Sequence, residues 1–465
     1  MGRGSRPVMD VNPMGLRWSD LASMAEGYLV GSDGPIRGVC TPDSRSVHPG
    51  DLFVALPGCR VDGHDFLEQA FDRGAEAAMV NQDRWGNKKV PSGRYILVAD
   101  VEASLIRLAE TRMKQLTNVI AVTGSVGKTT TREMIAKALG GSHAGVYRAR
   151  QSHNTKIGCA LTLAEMPVTT SIAVLEMGTN HPGEIAEMVS LFPPDVVVLT
   201  KISEAHLEGL GDLNGVVQAK SEIFGSSRLR TVIYNGNDQE LSKAIQARSD
   251  DSRWKAWAVG EGEGKVLVKD RSLIWSDVPI VSVKLELPHH RNGSWTVRAK
   301  MSGVQNALLL ALAWGTAVHL GRDPGEVAYR LSHCTSCKGR GRLLSLNGVQ
   351  VLDESYNANP ASMSAALDLV RSAPVPKERC FLVLGEMREM GEASKKAHEE
   401  ILKKAERTGN LYLFGSSWPL RANHRVWKEM DALIEALKQE LRPKDLVLIK
   451  GSLSNRMERV LEALR

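Results

Sequence analysis

The chain has 465 residues, too many for one hydrophobic core, and is expected to divide into about two to four domains. Hydrophobic residues make up 43% and charged ones 24%, the balance of an ordinary soluble globular protein. The net charge of +6 suits a small anionic substrate, no basic run favours nucleic acid, and 5% aromatic residues leave little for a base-stacking platform.

Met1 to Trp18 carries glycines, prolines and arginines without an apolar h-region, so it does not read as a signal peptide. Cys40, Cys59, Cys159, Cys334, Cys337 and Cys380 are scattered, which is no disulfide framework and fits a reduced, cytoplasmic setting. The pattern next predicts a small α/β unit. Pro49-Gly50-Asp51 turns into a strand at Leu52–Leu56, and helical spacing runs from Phe66 to Arg73. Further strands are expected at Ala77–Val80 and Tyr95–Val98, with a helix over Leu105–Leu116. The polar loop residues Asp43, Ser44, Arg45, Asp62 and His64 could grip a ligand or could simply be surface turns.

The most informative stretch follows. Val119–Val122 reads as a buried strand, and Arg132–Leu139 as a helix closed by Gly140-Gly141. Between them, Thr123-Gly124-Ser125-Val126-Gly127-Lys128-Thr129-Thr130 has the form of a phosphate-cradling loop. In such a loop, backbone N–H groups and the helix N-terminus face an anion, the Lys adds charge, and a hydroxyl can hold Mg²⁺. The first glycine of the full pattern is missing, because Val122 stands there.

Apolar strands at Ile172–Leu175, Val196–Leu199 and Val232–Tyr234 end in Glu176, Thr200 and Asn235. Unbroken apolar strands alternating with helices imply a parallel sheet buried on both faces, with ligands beyond the carboxyl ends of its strands. The phosphate loop, Glu176 and the segment after Thr200 should therefore converge. Glu176 could ligate a metal, position a water or cap a local structure. A helix over Val216–Phe224 contains Lys220, and antiparallel strands are expected between about 250 and 300, where Ile280–Leu287 alternates. Ala307–Leu320, at about fourteen residues, is too short to span a bilayer and reads as a buried helix. Cys334 and Cys337, beside His333, form half a zinc or redox pattern that no second Cys pair completes, and read as incidental.

Gly339-Arg340-Gly341-Arg342 is expected to be a hinge. Strands at Gln350–Leu352, Phe381–Leu384, Leu411–Phe414 and Leu446–Ile449, with helices between them, predict a second open α/β sheet. It has no Gly-x-Gly-x-x-Gly and is not read as a NAD site.

Taken together, these motifs resemble those of the Mur ligases, ATP-dependent amide-forming enzymes of peptidoglycan precursor synthesis. The resemblance rests on the Thr123–Thr130 loop, Glu176-Met177-Gly178, Ala205-His206-Leu207-Glu208-Gly209 and Asp353-Glu354-Ser355-Tyr356-Asn357-Ala358-Asn359-Pro360. Lys450-Gly451-Ser452 with Arg456-Met457-Glu458, and the N-terminal Asp43-Ser44-Arg45 and Asp62-Gly63-His64, add to it. The chain departs from the family where Lys300 and Ser302 replace a Gly-x-His ahead of Asn306, and where Glu354 replaces an Asp.

The resemblance implies three α/β domains. Residues 1–115 would be a small UDP-sugar-binding domain, 116–334 a central P-loop-type ATPase domain on a mostly parallel sheet, and 335–465 a Rossmann-like domain for the incoming dipeptide. It implies addition of D-alanyl-D-alanine to UDP-MurNAc-tripeptide through an acyl phosphate, by a cytoplasmic monomer with no transmembrane segment. Lys128, Glu176, His206 and Lys220 would be catalytic. Thr123 to Thr130, Asn306, Arg340 and Asp353 would contact ATP. Thr129, Glu176, His206 and Lys220, the last as a carbamate, would hold two Mg²⁺ ions. Asp43, Ser44, Arg45, Asp62, Gly63, His64, Asn154, Tyr356, Asn357 and Asn359 would contact the substrates.

Overall fold

The computed structural model describes residues 14–465, apart from 59–60, 86–90, 151, 249, 289, 291–292 and 421–423. Cys59 and the N-terminal reading up to residue 13 lie outside the described residues. Among the described residues the strands form three sheets.

The first sheet comprises β1 (Tyr28–Val30), β2 (Cys40–Thr41), β3 (Leu52–Val54), β4 (Ala77–Asn81) and β5 (Arg94–Val98), in the order β1-β5-β4-β3-β2. β2 to β5 are parallel and β1 pairs antiparallel to β5. The expected helix after the Asp62 loop begins as a 3-10 turn, Gly63–Phe66, and becomes α-helical only over Leu67–Asp72.

The second sheet is assembled from β6 (Asn118–Thr123), β7 (Val146–Arg148), β8 (Ile172–Glu176), β9 (Val196–Leu199), β10 (Thr231–Asn235), β11 (Lys255–Gly260), β12 (Val266–Ile274), β13 (Ile280–Glu286) and β14 (Ser294–Lys300). Their order is β14-β13-β12-β11-β10-β9-β6-β8-β7. β8 and β9 are buried at every residue, as unbroken apolar runs with helices on both faces must be. The expected antiparallel region proves mixed. β11 extends the parallel set and β12 joins it in parallel, and only β12, β13 and β14 run antiparallel. Along β13 and β14, Val281, Val283, Leu285, Val297 and Ala299 point inward against the Asn306–His319 helix, the apolar stretch too short for a bilayer. Among the described residues no helix is long and apolar enough to cross a membrane.

The third sheet contains β15 (Arg342–Leu346), β16 (Val349–Glu354), β17 (Cys380–Gly385), β18 (Asn410–Phe414), β19 (Val426–Trp427) and β20 (Leu446–Lys450), ordered β15-β16-β20-β17-β18-β19. All neighbours are parallel except β15 and β16. Arg342, expected in the hinge, opens β15. One buried apolar cluster runs through all three sheets, from Trp18 and Leu105 through Leu175 and Leu207 to Met387 and Leu448.

Candidate active site

β6 lies between β8 and β9, so the loop that follows it opens at the carboxyl edge of the parallel strands. Gly124 has φ +144, and a Cβ there would lie 2.0 Å from Thr200 Oγ1, so only glycine fits. Gly127, at φ +84, caps the Lys128–Ala138 helix. The segment after β9 clamps the loop, as expected. Thr200 Oγ1 donates to the Val126 carbonyl at 2.6 Å, Ser125 N donates to the Lys201 carbonyl at 2.7 Å, and Ser125 Oγ donates to the Ser203 carbonyl at 2.8 Å. Lys128 Nζ donates to the Gly124 carbonyl at 2.8 Å, folding the side chain back over its own loop. Burial lowers the Lys128 pKa, with Glu176 opposing and Arg340 reinforcing that shift.

Glu176 ends β8 and is almost fully buried. Its Oε2 accepts from Thr129 Oγ1 at 2.8 Å and from Arg132 Nη1 at 3.3 Å. Thr129 Oγ1 also lies 3.4 Å from Ser152 Oγ. Arg132 and Ser152 carried no signal in the sequence, since neither stands in a spacing that chemistry demands. Asn154 lies beside this strand end, its carbonyl accepting from Gly178 N at 2.8 Å.

Lys220, on the Leu213–Ser221 helix, is buried and its Nζ has no hydrogen-bond partner. Burial, and after it the charge of Lys128, pulls its pKa down to about 7. An orphaned amine whose proton is weakly held, close to a second cationic side chain, suits conversion to an anionic group. The Thr129 hydroxyl and the Glu176 carboxylate, in contact at 2.8 Å, are oxygen donors of the kind that Mg²⁺ takes, and a carbamate at Lys220 would be a further one.

His206 turns the other way. At φ +56 it caps the short Leu207–Leu210 helix, and its Nδ1 is hydrogen-bonded to Glu389 Oε2, on the loop after β17. That bond holds the Glu389 carboxyl below its ordinary pKa. Among the described residues no three His, Cys, Asp or Glu side chains gather as a metal site, so the structure does not bring His206 and Glu176 into one such cluster.

The hinge joins the central and C-terminal sheets. Arg340 Nη2 donates to Ser152 Oγ at 3.3 Å, and its guanidinium carbon lies 3.9 Å from the Tyr356 ring centroid. Arg342, the alternative hinge cation, is exposed on β15. Asp353 is buried and knits the turn, with Oδ2 accepting from Gly339 N at 2.9 Å and Oδ1 from Ser355 Oγ at 2.6 Å. Asn306 Nδ2 donates to the Ser302 carbonyl at 2.6 Å, where the family pattern expected a histidine at 302. In the segment after β16, Lys450 Nζ bonds the Asn357 carbonyl at 3.0 Å and Glu354 Oε2 at 3.1 Å. Asn359 caps the Pro360–Ser372 helix.

The N-terminal residues form a separate pair of loops. Asp43 caps a 3-10 turn and makes a two-pronged ion pair with Arg45, and Ser44 Oγ donates to Gln69 Oε1 at 2.6 Å. Asp62 accepts from His64 Nδ1 at 2.7 Å, and His64 Nε2 accepts from Asn81 N at 2.9 Å, which fixes the imidazole tautomer. A Cβ at Gly63 would lie 2.8 Å from the Ala55 carbonyl carbon, so this turn presses on the end of β3.

Three family models match the chain in succession: "Mur ligase family, catalytic domain" at residues 36–116, "Mur ligase middle domain" at 122–316, and "Mur ligase, glutamate ligase domain" at 339–453. The UDP-N-acetylmuramoyl-tripeptide–D-alanyl-D-alanine ligase of Escherichia coli is 32% identical over 466 residues, covering 96% of this chain and 98% of that one. The chain belongs to the Mur ligase family. The Bacillus subtilis Mur ligase of the same name is 31% identical over 96% of this chain and 97% of its own. Among solved Mur ligases, MurF from Acinetobacter baumannii superposes with a TM-score of 0.78 at 25% identity, over 97% of this chain and 99% of that one. MurF from Thermotoga maritima, in complex with ADP, gives 0.74 at 28% identity, over 92% and 97%. The three-domain α/β architecture is that of these Mur ligases.

Proposed function

We propose that this Mur ligase couples ATP cleavage to amide formation between UDP-N-acetylmuramoyl-tripeptide and D-alanyl-D-alanine, giving UDP-MurNAc-pentapeptide, ADP and phosphate. The observation that carries this reading is the end-to-end likeness to relatives of that name, at 31% and 32% identity over 96% of the chain. Residues 1–115 take the UDP-sugar, 116–334 the ATP and 335–465 the incoming dipeptide. The enzyme works as a monomer in the cytoplasm.

A carboxylate is a poor electrophile until a phosphoryl group gives it a leaving group, and such transfer depends on positioning and charge neutralisation. Thr123 to Thr130 cradle the phosphates, and Lys128, held over the loop by its 2.8 Å bond to Gly124, meets the transferring group. Bound Mg²⁺ would neutralise charge on the phosphoryl oxygens. Thr129 and Glu176 would hold one ion, and His206 and carbamylated Lys220 would serve a second. Asn306, Arg340 and Asp353 contact the nucleotide. Arg340, stacked on Tyr356, faces the phosphate end and the dipeptide end at once. Tyr356, Asn357 and Asn359 approach the dipeptide. Asn154 and the loops of Asp43, Ser44, Arg45, Asp62, Gly63 and His64 shape the UDP-MurNAc-tripeptide side.

With purified protein, ADP release should require both UDP-MurNAc-tripeptide and D-alanyl-D-alanine. ATP hydrolysis that proceeds equally well without them would overturn the ligase reading in favour of a P-loop ATPase acting through a partner.

A further inference from the structure

Where the end of β14 meets the start of β15, a cavity of about 390 Å³ opens between the central and C-terminal units. Its polar lining is Lys300, Ser302, Thr335, Ser336 and Arg342, and no carboxylate is among the described residues that line it. None of the residues assigned above to nucleotide, cation or substrates lines it either. Ser302 is only 2% exposed, yet its hydroxyl has no hydrogen-bond partner among the described residues. Its N–H donates to Ser336 Oγ at 3.3 Å, which leaves the Ser336 proton free to be donated elsewhere. The side chains of Lys300 and Arg342 are exposed, and among the described residues neither has an ion-pair or hydrogen-bond partner. Lys300 and Ser302 stand where the family pattern has glycine and histidine, so one of the two cations and the unpartnered hydroxyl are this chain's own.

An unpaired buried hydroxyl costs free energy, and two like charges on one cavity repel each other; an anion relieves both. A phosphoryl group carries nearly two negative charges and three strong acceptor oxygens, which matches two cations and three hydroxyls better than a carboxylate does. The remaining walls are apolar, from Val278, Pro279, Met301 and Leu343, and suit a small organic body. We propose that this cavity is a second anion site, separate from the phosphate loop, that takes a small organic phosphate. Lys300 and Arg342 meet the phosphoryl oxygens, and the apolar walls take the organic part. Val278 to Ser302 belong to the central unit and Arg342 and Leu343 to the C-terminal sheet, so an occupant holds the two units together. The site stands whether or not the protein is a ligase, because it shares no residue with the machinery proposed above.

The test titrates phenyl phosphate calorimetrically into the full-length protein saturated with MgADP, so that the phosphate loop is already filled. One equivalent should bind, more tightly than inorganic phosphate does. Lys300→Ala and Arg342→Ala should each weaken binding by about 10- to 100-fold, the worth of a charge-assisted hydrogen bond, while Lys300→Arg should retain it. All three variants should keep the wild-type melting temperature and ADP affinity, because both side chains are exposed and lie outside the nucleotide contacts. Equal affinity for inorganic phosphate would overturn the organic part of the assignment. No binding, binding unchanged in both alanine variants, or displacement of phenyl phosphate by ADP would overturn the site. A protein that binds phenyl phosphate but not ADP would leave the site standing and count against the ligase reading.

Discussion

Arg340 lies over the ring of Tyr356, 3.9 Å from its centroid, while its Nη2 donates at 3.3 Å to Ser152 Oγ, which itself lies 3.4 Å from Thr129 Oγ1 at the end of the phosphate loop. A guanidinium over an aromatic face is worth about 0.5 to 2 kcal/mol. Tyr356→Phe keeps that face and should leave ligation close to wild type. Tyr356→Ala should lower kcat/KM by about 2- to 30-fold, the same energy expressed as a rate. Coupled measurement of ADP release checks both, and equal losses in the two variants would assign the effect to the hydroxyl instead.

Lys128 reaches back to the Gly124 carbonyl at 2.8 Å, a contact whose loss the fold can absorb at a half-buried position. Lys128→Ala should therefore keep its circular dichroism and melting temperature, while its ligation rate falls by about 10²- to 10³-fold or more. A variant that unfolds, or one that still ligates at the wild-type rate, would remove Lys128 from the transferring phosphoryl group.

Lys220 has an amine pKa near 7 and no hydrogen-bond partner. Carbamate forms from the neutral amine and releases a proton, so occupancy should rise as pH increases through about 7. A ¹³C resonance from labelled bicarbonate should grow between mildly acidic and mildly alkaline buffer and vanish in Lys220→Ala. Activity in buffer stripped of CO₂ should fall in parallel. A Lys220→Ala enzyme at full activity would sink the role.

Lys450 is buried at the end of β20 and pairs with Glu354 at 3.1 Å, the position where this chain carries Glu for the family's Asp. Removing one partner of a buried pair strands the other, at a cost of about 3 kcal/mol. Lys450→Met should show that loss in urea unfolding, and the double variant Lys450→Met with Glu354→Leu should recover much of it. Because Lys450 also holds the Asn357 carbonyl, the single variant should raise KM for the dipeptide as well.

How much of this was legible in the sequence follows from burial. β8, β9, β17 and β20 are buried at every residue, so each reads as an unbroken apolar run with its polar terminus in view. β7, a three-residue edge strand, and β15, exposed or half-exposed along its length, have no such run, and of β15 only its first residue, Arg342, falls in the expected hinge. The phosphate loop was readable because its spacing is local. Arg132 on Glu176, Ser152 beneath Arg340 and Glu389 against His206 were not, since their partners are set by the fold; His206 and Glu389 are 183 positions apart.

The apolar cluster that runs from Trp18 to Leu448 has a consequence for how the molecule fails. Three sheets with private interiors would melt in three steps, and each could be weakened without the others noticing. Each sheet keeps a buried cluster of its own on one face, but the cluster on the other face is shared, so a defect near Leu448 lowers the survival of the phosphate loop as well. Heating should therefore give a single calorimetric transition, with nucleotide-binding capacity and C-terminal structure disappearing at the same temperature.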